Sequence, residues 1–131
     1  MTTPTAEFDM ESFATLTHYL RRFADERDWN QFHSPKNLAM ALSVETAELM
    51  EHFQWLTEEE SGKLNPNQLE AVADEIADVQ LYLVRLADRL KIDLPQALRR
   101  KTAHNEIKYP ADQVRGSAKK LQAPDTPGNP P

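Results

Sequence analysis

Apolar residues along the chain recur at spacings of three and four and nowhere alternate, which is the pattern of helices and not of strands. Phe13, Leu16, Leu20 and Phe23 share one face, predicting a first helix that starts near Asp9 as its N-cap and runs through ADER. Ser34 followed by Pro35 pairs a capping hydroxyl with a proline at the first helical position, and predicts a second helix to about Leu56. Residues 57–66 read as a loop. Asn65–Pro66 repeats the cap-then-proline signal and opens a long third helix to about Leu90. The segment KIDLP breaks it, with Asp93 as the cap of a fourth helix over roughly 94–108. No repeat of fixed period is present. The expectation is an all-α chain, a four-helix bundle-like domain over 9–110 between a flexible N-terminus (1–8) and a flexible Pro-rich tail (111–131), disordered at least from Ala123.

Some acids fall where apolar residues are expected. On the second helix Leu38, Leu42, Leu49, Phe53 and Leu56 form a core stripe; Glu45 lies inside it and Glu48 beside Ala41 at its edge. On the third, Leu69, Ile76, Val79, Leu83, Leu86 and Leu90 form the stripe, with Glu75 on its edge and Asp78 one turn along the same flank. Each helix thus carries an acid pair at i, i+3 bordering its inner face. A carboxylate there is costly unless paired or bound to metal. Antiparallel packing would bring the four together, where a divalent cation turns repulsion into attraction, and an all-oxygen set selects Mg²⁺ or Mn²⁺ over zinc. The competing reading is surface charge, because a lone ExxE is common on helices. A di-iron bundle wants Glu-x-x-His, and here Glu48 and His52 are four apart.

Composition narrows the class. The 131 residues hold 15 Lys+Arg against 21 Asp+Glu, for a net charge of −6, and suit one domain. That balance argues against a binder of nucleic acid polymers. No cysteine is present, which excludes disulfides, a thiolate nucleophile and Cys-ligated metal sites. No apolar run nears 18 residues, so no membrane span is expected, and the N-terminal segment lacks the features of a secretory signal. A cytoplasmic location follows as the expectation. Residues 45–78 hold ten acids and one base, Lys63, whereas residues 99–120 hold seven bases and two acids. This is either a metal centre beside an anion-handling segment or two solvated faces of opposite sign.

Glu45-Thr46-Ala47-Glu48 followed, after 26 intervening residues, by Glu75-Ile76-Ala77-Asp78 resembles the ExxE and ExxD pair of the MazG-like nucleotide pyrophosphohydrolase superfamily. The wider strings ERDWNQFHSPKNLAMALSVETAELMEHFQW, DEIADVQLYLVRLA, DLPQAL and KTAHNEIKYP resemble its dCTP pyrophosphatase branch, over about residues 12–110. The resemblance implies a MazG-type fold and hydrolysis of a nucleoside triphosphate, dCTP or a modified dCTP, to the monophosphate and pyrophosphate with Mg²⁺ (Mn²⁺ as the substitute), serving nucleotide-pool control. It implies Glu45, Glu48, Glu75 and Asp78 as metal ligands and catalytic acids. It implies Trp29, Phe32, His33 and Trp55 for the base and sugar pocket with Gln31 in the same loop, and Tyr82, Lys101 and Asn105 as further substrate contacts. One position departs: Leu20 stands where close eukaryotic relatives have a histidine, and His18 points to another side of the helix. That leaves the base preference open more than the reaction.

The chemistry is coherent on its own terms. A triphosphate is a chelating polyanion, and charge neutralisation and positioning carry most phosphoryl-type catalysis. Lys101, with Lys36, could balance the phosphates, and Glu48 is the first choice to accept the water's proton. Trp29 and Trp55 flank the second helix, either as a base sandwich, where stacking contributes about 1–3 kcal/mol per base, or as core or interface residues. Leu81 and Val84 lie outside the third helix's main stripe and one bundle face cannot cover them, so self-association is expected; the family implies a dimer or tetramer with the site built partly between chains. The alternative from another class is a non-catalytic helical module that binds nucleotide or a protein partner.

Overall fold

A computed structural model describes residues 12–118, and among these every regular element is helical. The chain divides at residue 94 into two compact units. The first contains α1 (Phe13–Glu26), a 3₁₀ turn (Asn30–Phe32), α2 (Pro35–Glu51), α3 (Glu58–Ser61) and α4 (Pro66–Arg89). The second contains most of α5 (Leu94–Lys108) and α6 (Ala111–Val114). The four expected helices are present, and the all-α expectation holds among the described residues.

The helix starts follow from side-chain caps. Ser34 Oγ accepts from the Asn37 amide with Pro35 at the first helical position, and Asn65 accepts from the Gln68 amide ahead of Pro66. Gln68 returns a bond to the Asn65 amide, completing a capping box. At α1 the cap is Ser12, not Asp9: Ser12 Oγ accepts from the Thr15 amide and satisfies the first turn, while Asp9 lies outside the described residues. The second helix ends at Glu51, and residues 52–56 form turns. Within the expected loop, Thr57 and Glu60 close a second capping box and form the single turn α3. Residues 111–118, assigned to the tail, include the turn α6; Ala123 and beyond lie outside the described residues.

In the first unit α4 packs against both α2 and α1. Leu16, Ala24, Leu38, Val72, Val84 and Ala87 are its buried apolar residues. The second-helix stripe is as expected, with Leu38 buried and Leu42, Leu49, Phe53 and Leu56 half-buried. The third-helix stripe is so only in part, with Val79 and Leu86 half-buried. Leu69, Ile76, Leu83 and Leu90 are 55, 54, 40 and 49% exposed, while Val84, taken to need a partner, is 2% exposed inside its own chain. Helical periodicity identifies apolar stripes but does not say which neighbour covers each. On α4 the buried face turns from Val72 and Glu75 in the first half to Leu81, Val84, Arg85 and Ala87 in the second.

Candidate active site

The α2–α4 pairing decides where the acids go. Glu45 and Glu48 from α2 and Glu75 from α4 offer carboxylate oxygens that all lie within 4.8 Å of one another, and all three side chains are half-buried. Glu45 Oε2 and Glu75 Oε2 are buried and have no hydrogen-bond partner. The Glu45 carboxyl is pushed up to about 7, by burial first and then by the neighbouring carboxyls of Glu48 and Glu75 and the charge of Asp78. These are the buried side-chain acceptors left orphaned among the described residues; they call for a cation, and a donor set of carboxylates alone fits a hard divalent ion. Asp78 stands one turn along α4, outside the trio, where it lines an adjoining cavity.

That cavity, of about 170 Å³, lies between α1, the Trp29–His33 segment and α4. Leu20, Phe23, Leu38 and Leu81 form its apolar walls. Trp29, His33, Asp78, Tyr82 and Arg85 complete the lining. Trp29 is held edge-on to Phe23, with ring centres 5.7 Å apart, and its ring stands 6.2 Å from that of His33. Tyr82 has its hydroxyl pKa raised by burial and by the charges of Glu45, Asp78 and Glu48, so it stays a neutral donor beside the acids.

The remaining residues read from the sequence sit elsewhere. Gln31 turns back to donate to the Asp28 carbonyl and side chain, and Phe32 is 59% exposed; neither lines the cavity. Asp28 itself adopts φ 53°, a left-handed conformation that aspartate tolerates better than most residues. Trp55, in the turns after α2, is 86% exposed and is not part of the cavity wall, so the chain's own fold does not bring it opposite Trp29. Lys101 and Asn105 are exposed on α5, and Lys36 is exposed in the first turn of α2. Four groups escaped the sequence reading: Asn30, Arg85, Asp88 and Arg21. Arg85 is buried, and with Arg21 it engages Asp88, whose carboxyl is held below its usual range chiefly by the Arg21 hydrogen bonds. The available signal was an arginine inside the apolar string LYLVRLA with an aspartate three residues on.

Residues 40–123 match the MazG-like family. The chain belongs to this family. It is 45% identical over 122 residues to dCTP pyrophosphatase 1 of Bos taurus, covering 89% of this chain and 72% of that protein. It is 47% identical over 100 residues to dCTP pyrophosphatase 1 of Homo sapiens, covering 75% of this chain but only 59% of the human protein. A crystal structure of a pyrophosphatase from Archaeoglobus fulgidus DSM 4304 superposes with a TM-score of 0.69 at 44% identity, over 72% of this chain and 89% of that one. The resemblance to the dCTP pyrophosphatase branch and the MazG-type all-α fold are both borne out by these relatives. Glu45, Glu48, Glu75 and Asp78 all fall within the matched segment, whereas Trp29 and His33 precede it.

Proposed function

We propose that this chain is a nucleoside triphosphate pyrophosphohydrolase of the dCTP diphosphatase type, converting dCTP or a modified dCTP to the monophosphate and pyrophosphate with Mg²⁺. The observation that carries the reading is the Glu45–Glu48–Glu75 cluster with its two buried, unpartnered oxygens. Glu45, Glu48, Glu75 and Asp78 would hold the metal, which when bound supplies charge neutralisation on the triphosphate. Glu48 takes the proton from the attacking water. Tyr82, kept neutral, donates a hydrogen bond to the nucleotide at the end of the cavity nearest the acids. Trp29 and His33 hold the base in the apolar cavity, with Gln31 and Phe32 supporting their loop. The family resemblance assigns Lys101 and Asn105 substrate contacts, and both side chains are exposed on α5.

Self-association belongs to the same proposal, as a dimer or a tetramer. The exposed Leu69, Ile76 and Leu83 of α4 and its C-cap Leu90 recur every seven residues, which is the spacing of a helix–helix seam, and Trp55 is 86% exposed. A second copy would cover that stripe. No helix among the described residues is long and apolar enough to cross a membrane, which fits the proposed cytoplasmic role in nucleotide-pool control. Purified chain incubated with each deoxynucleoside triphosphate and Mg²⁺ tests the substrate assignment. The expected result is the highest kcat/KM on dCTP or a modified dCTP; a purine nucleotide as the best substrate would overturn it.

A further inference from the structure

One wall of the cavity carries a group that the proposed reaction leaves without a part. Arg85 is 5% exposed, and among the described residues it is the buried charged one. Its guanidinium is divided among three acceptors. Nε donates to His33 Nδ1 at 3.2 Å, one terminal nitrogen to Asn30 Oδ1 at 2.6 Å, and the other to Asp88 Oδ2 at 3.4 Å. Arg89 also donates to the His33 carbonyl, at 3.0 Å, so α4 grips both the ring and the backbone of this residue. A guanidinium stays protonated in proteins and can only donate. The Nδ1 that receives its N–H is therefore bare, and the single ring proton of His33 sits on Nε2. The surrounding charges agree. Burial first, then Arg85 and Arg89, push the His33 pKa down. The nearby carboxylates are engaged otherwise, Asp88 by Arg21 and Arg85, and Asp25 by the Asn30 amide. The imidazole thus offers a donor in a wall otherwise built from Leu20, Phe23, Leu38 and Trp29.

We propose that Arg85 is a positioning residue that fixes His33 as a neutral Nε2–H donor, so that the cavity reads an acceptor atom of the nucleobase, a carbonyl oxygen or an unprotonated ring nitrogen. The base-reading half rests on the proposed nucleotide substrate; the tautomer half does not. Long-range ¹H–¹⁵N spectra of the full chain near neutral pH, with His33 identified by its loss in His33→Gln, give the tautomer directly. The expected spectrum has a bare Nδ1 and a protonated Nε2, and Arg85→Met is expected to show both tautomers in exchange. A proton on Nδ1 in the wild-type chain, or an unchanged spectrum in Arg85→Met, would overturn the assignment. In kinetics, Arg85→Met and His33→Ala are each expected to raise the KM for dCTP about tenfold, the scale of one lost hydrogen bond, with kcat little changed. The double variant is expected to be no worse than either single one. Effects that multiply in the double variant would show that Arg85 does not act through His33. A wild-type chain that hydrolyses no deoxynucleotide would overturn the base-reading half, while the spectra still decide the tautomer. Should Arg85→Met fail to fold, Arg85→Gln takes its place in both measurements, because its amide can donate or accept and so fixes neither tautomer.

Discussion

At the scale of single residues, the informative positions are those whose chemistry conflicts with their place on a helix. Glu45 was legible in the sequence because it interrupts an apolar stripe, and the structure places it against Glu48 and Glu75 with an oxygen left unpartnered. Arg85 was not legible, because an arginine in an apolar string can equally extend its charged end to solvent. Only the fold shows that His33, Asn30 and Asp88 converge on it. Asp88 gives the residue scale its pH prediction. Its folded pKa lies below the usual value, so the stabilisation it contributes is present above that usual value and lost as pH falls through the folded one. Asp88→Asn should cost about 3 kcal/mol near neutral pH, since it leaves buried Arg85 without its carboxylate. It should also flatten the loss of stability on acidification. Urea unfolding from neutral pH into the acid range measures both, and a variant whose stability follows the wild-type acid profile would show that Asp88 is not the group responsible.

At the scale of elements, starts were legible and faces were only partly so. Ser34–Pro35 and Asn65–Pro66 mark α2 and α4 because a local hydrogen bond, independent of tertiary context, fixes each start. The same logic applies to α3, where Thr57 and Glu60 have the spacing of a capping box within a segment that reads as loop because Gly62 interrupts it. The α1 cap is Ser12 rather than Asp9, because both residue types cap helices and periodicity alone places a boundary poorly. Asn65→Ala should destabilise the chain by about 1 kcal/mol through loss of the α4 cap. Thermal unfolding monitored by helix signal measures this, and a variant as stable as the wild type would mean that packing alone holds the first turn of α4.

At the scale of the whole molecule, the stripe of Leu69, Ile76, Leu83 and Leu90 was legible as apolar, but what covers it was not. The chain's own helices cover Val72, Val84 and Ala87, and leave these four substantially exposed. Periodicity cannot separate a stripe that meets the same chain from one that meets a second copy. Leu83→Asp should therefore convert an oligomer into monomers with little loss of helix, read by light scattering on a sizing column together with circular dichroism. A wild-type chain that is monomeric at micromolar concentration would remove the basis for self-association. The net charge of −6 also changes meaning at this scale, because part of the acidic excess is gathered inward at Glu45, Glu48 and Glu75 rather than spread over solvent.

The central claim is that this carboxylate cluster serves hydrolysis of a nucleoside triphosphate. The most direct measurement is the product ratio from dCTP with Mg²⁺, by chromatography of nucleotides together with separate assays for pyrophosphate and orthophosphate. The account predicts equal amounts of dCMP and pyrophosphate, no dCDP, loss of turnover in EDTA, and a fall in kcat of at least about a hundredfold in Glu45→Gln. Release of orthophosphate with dCDP, or full turnover by Glu45→Gln, would contradict it.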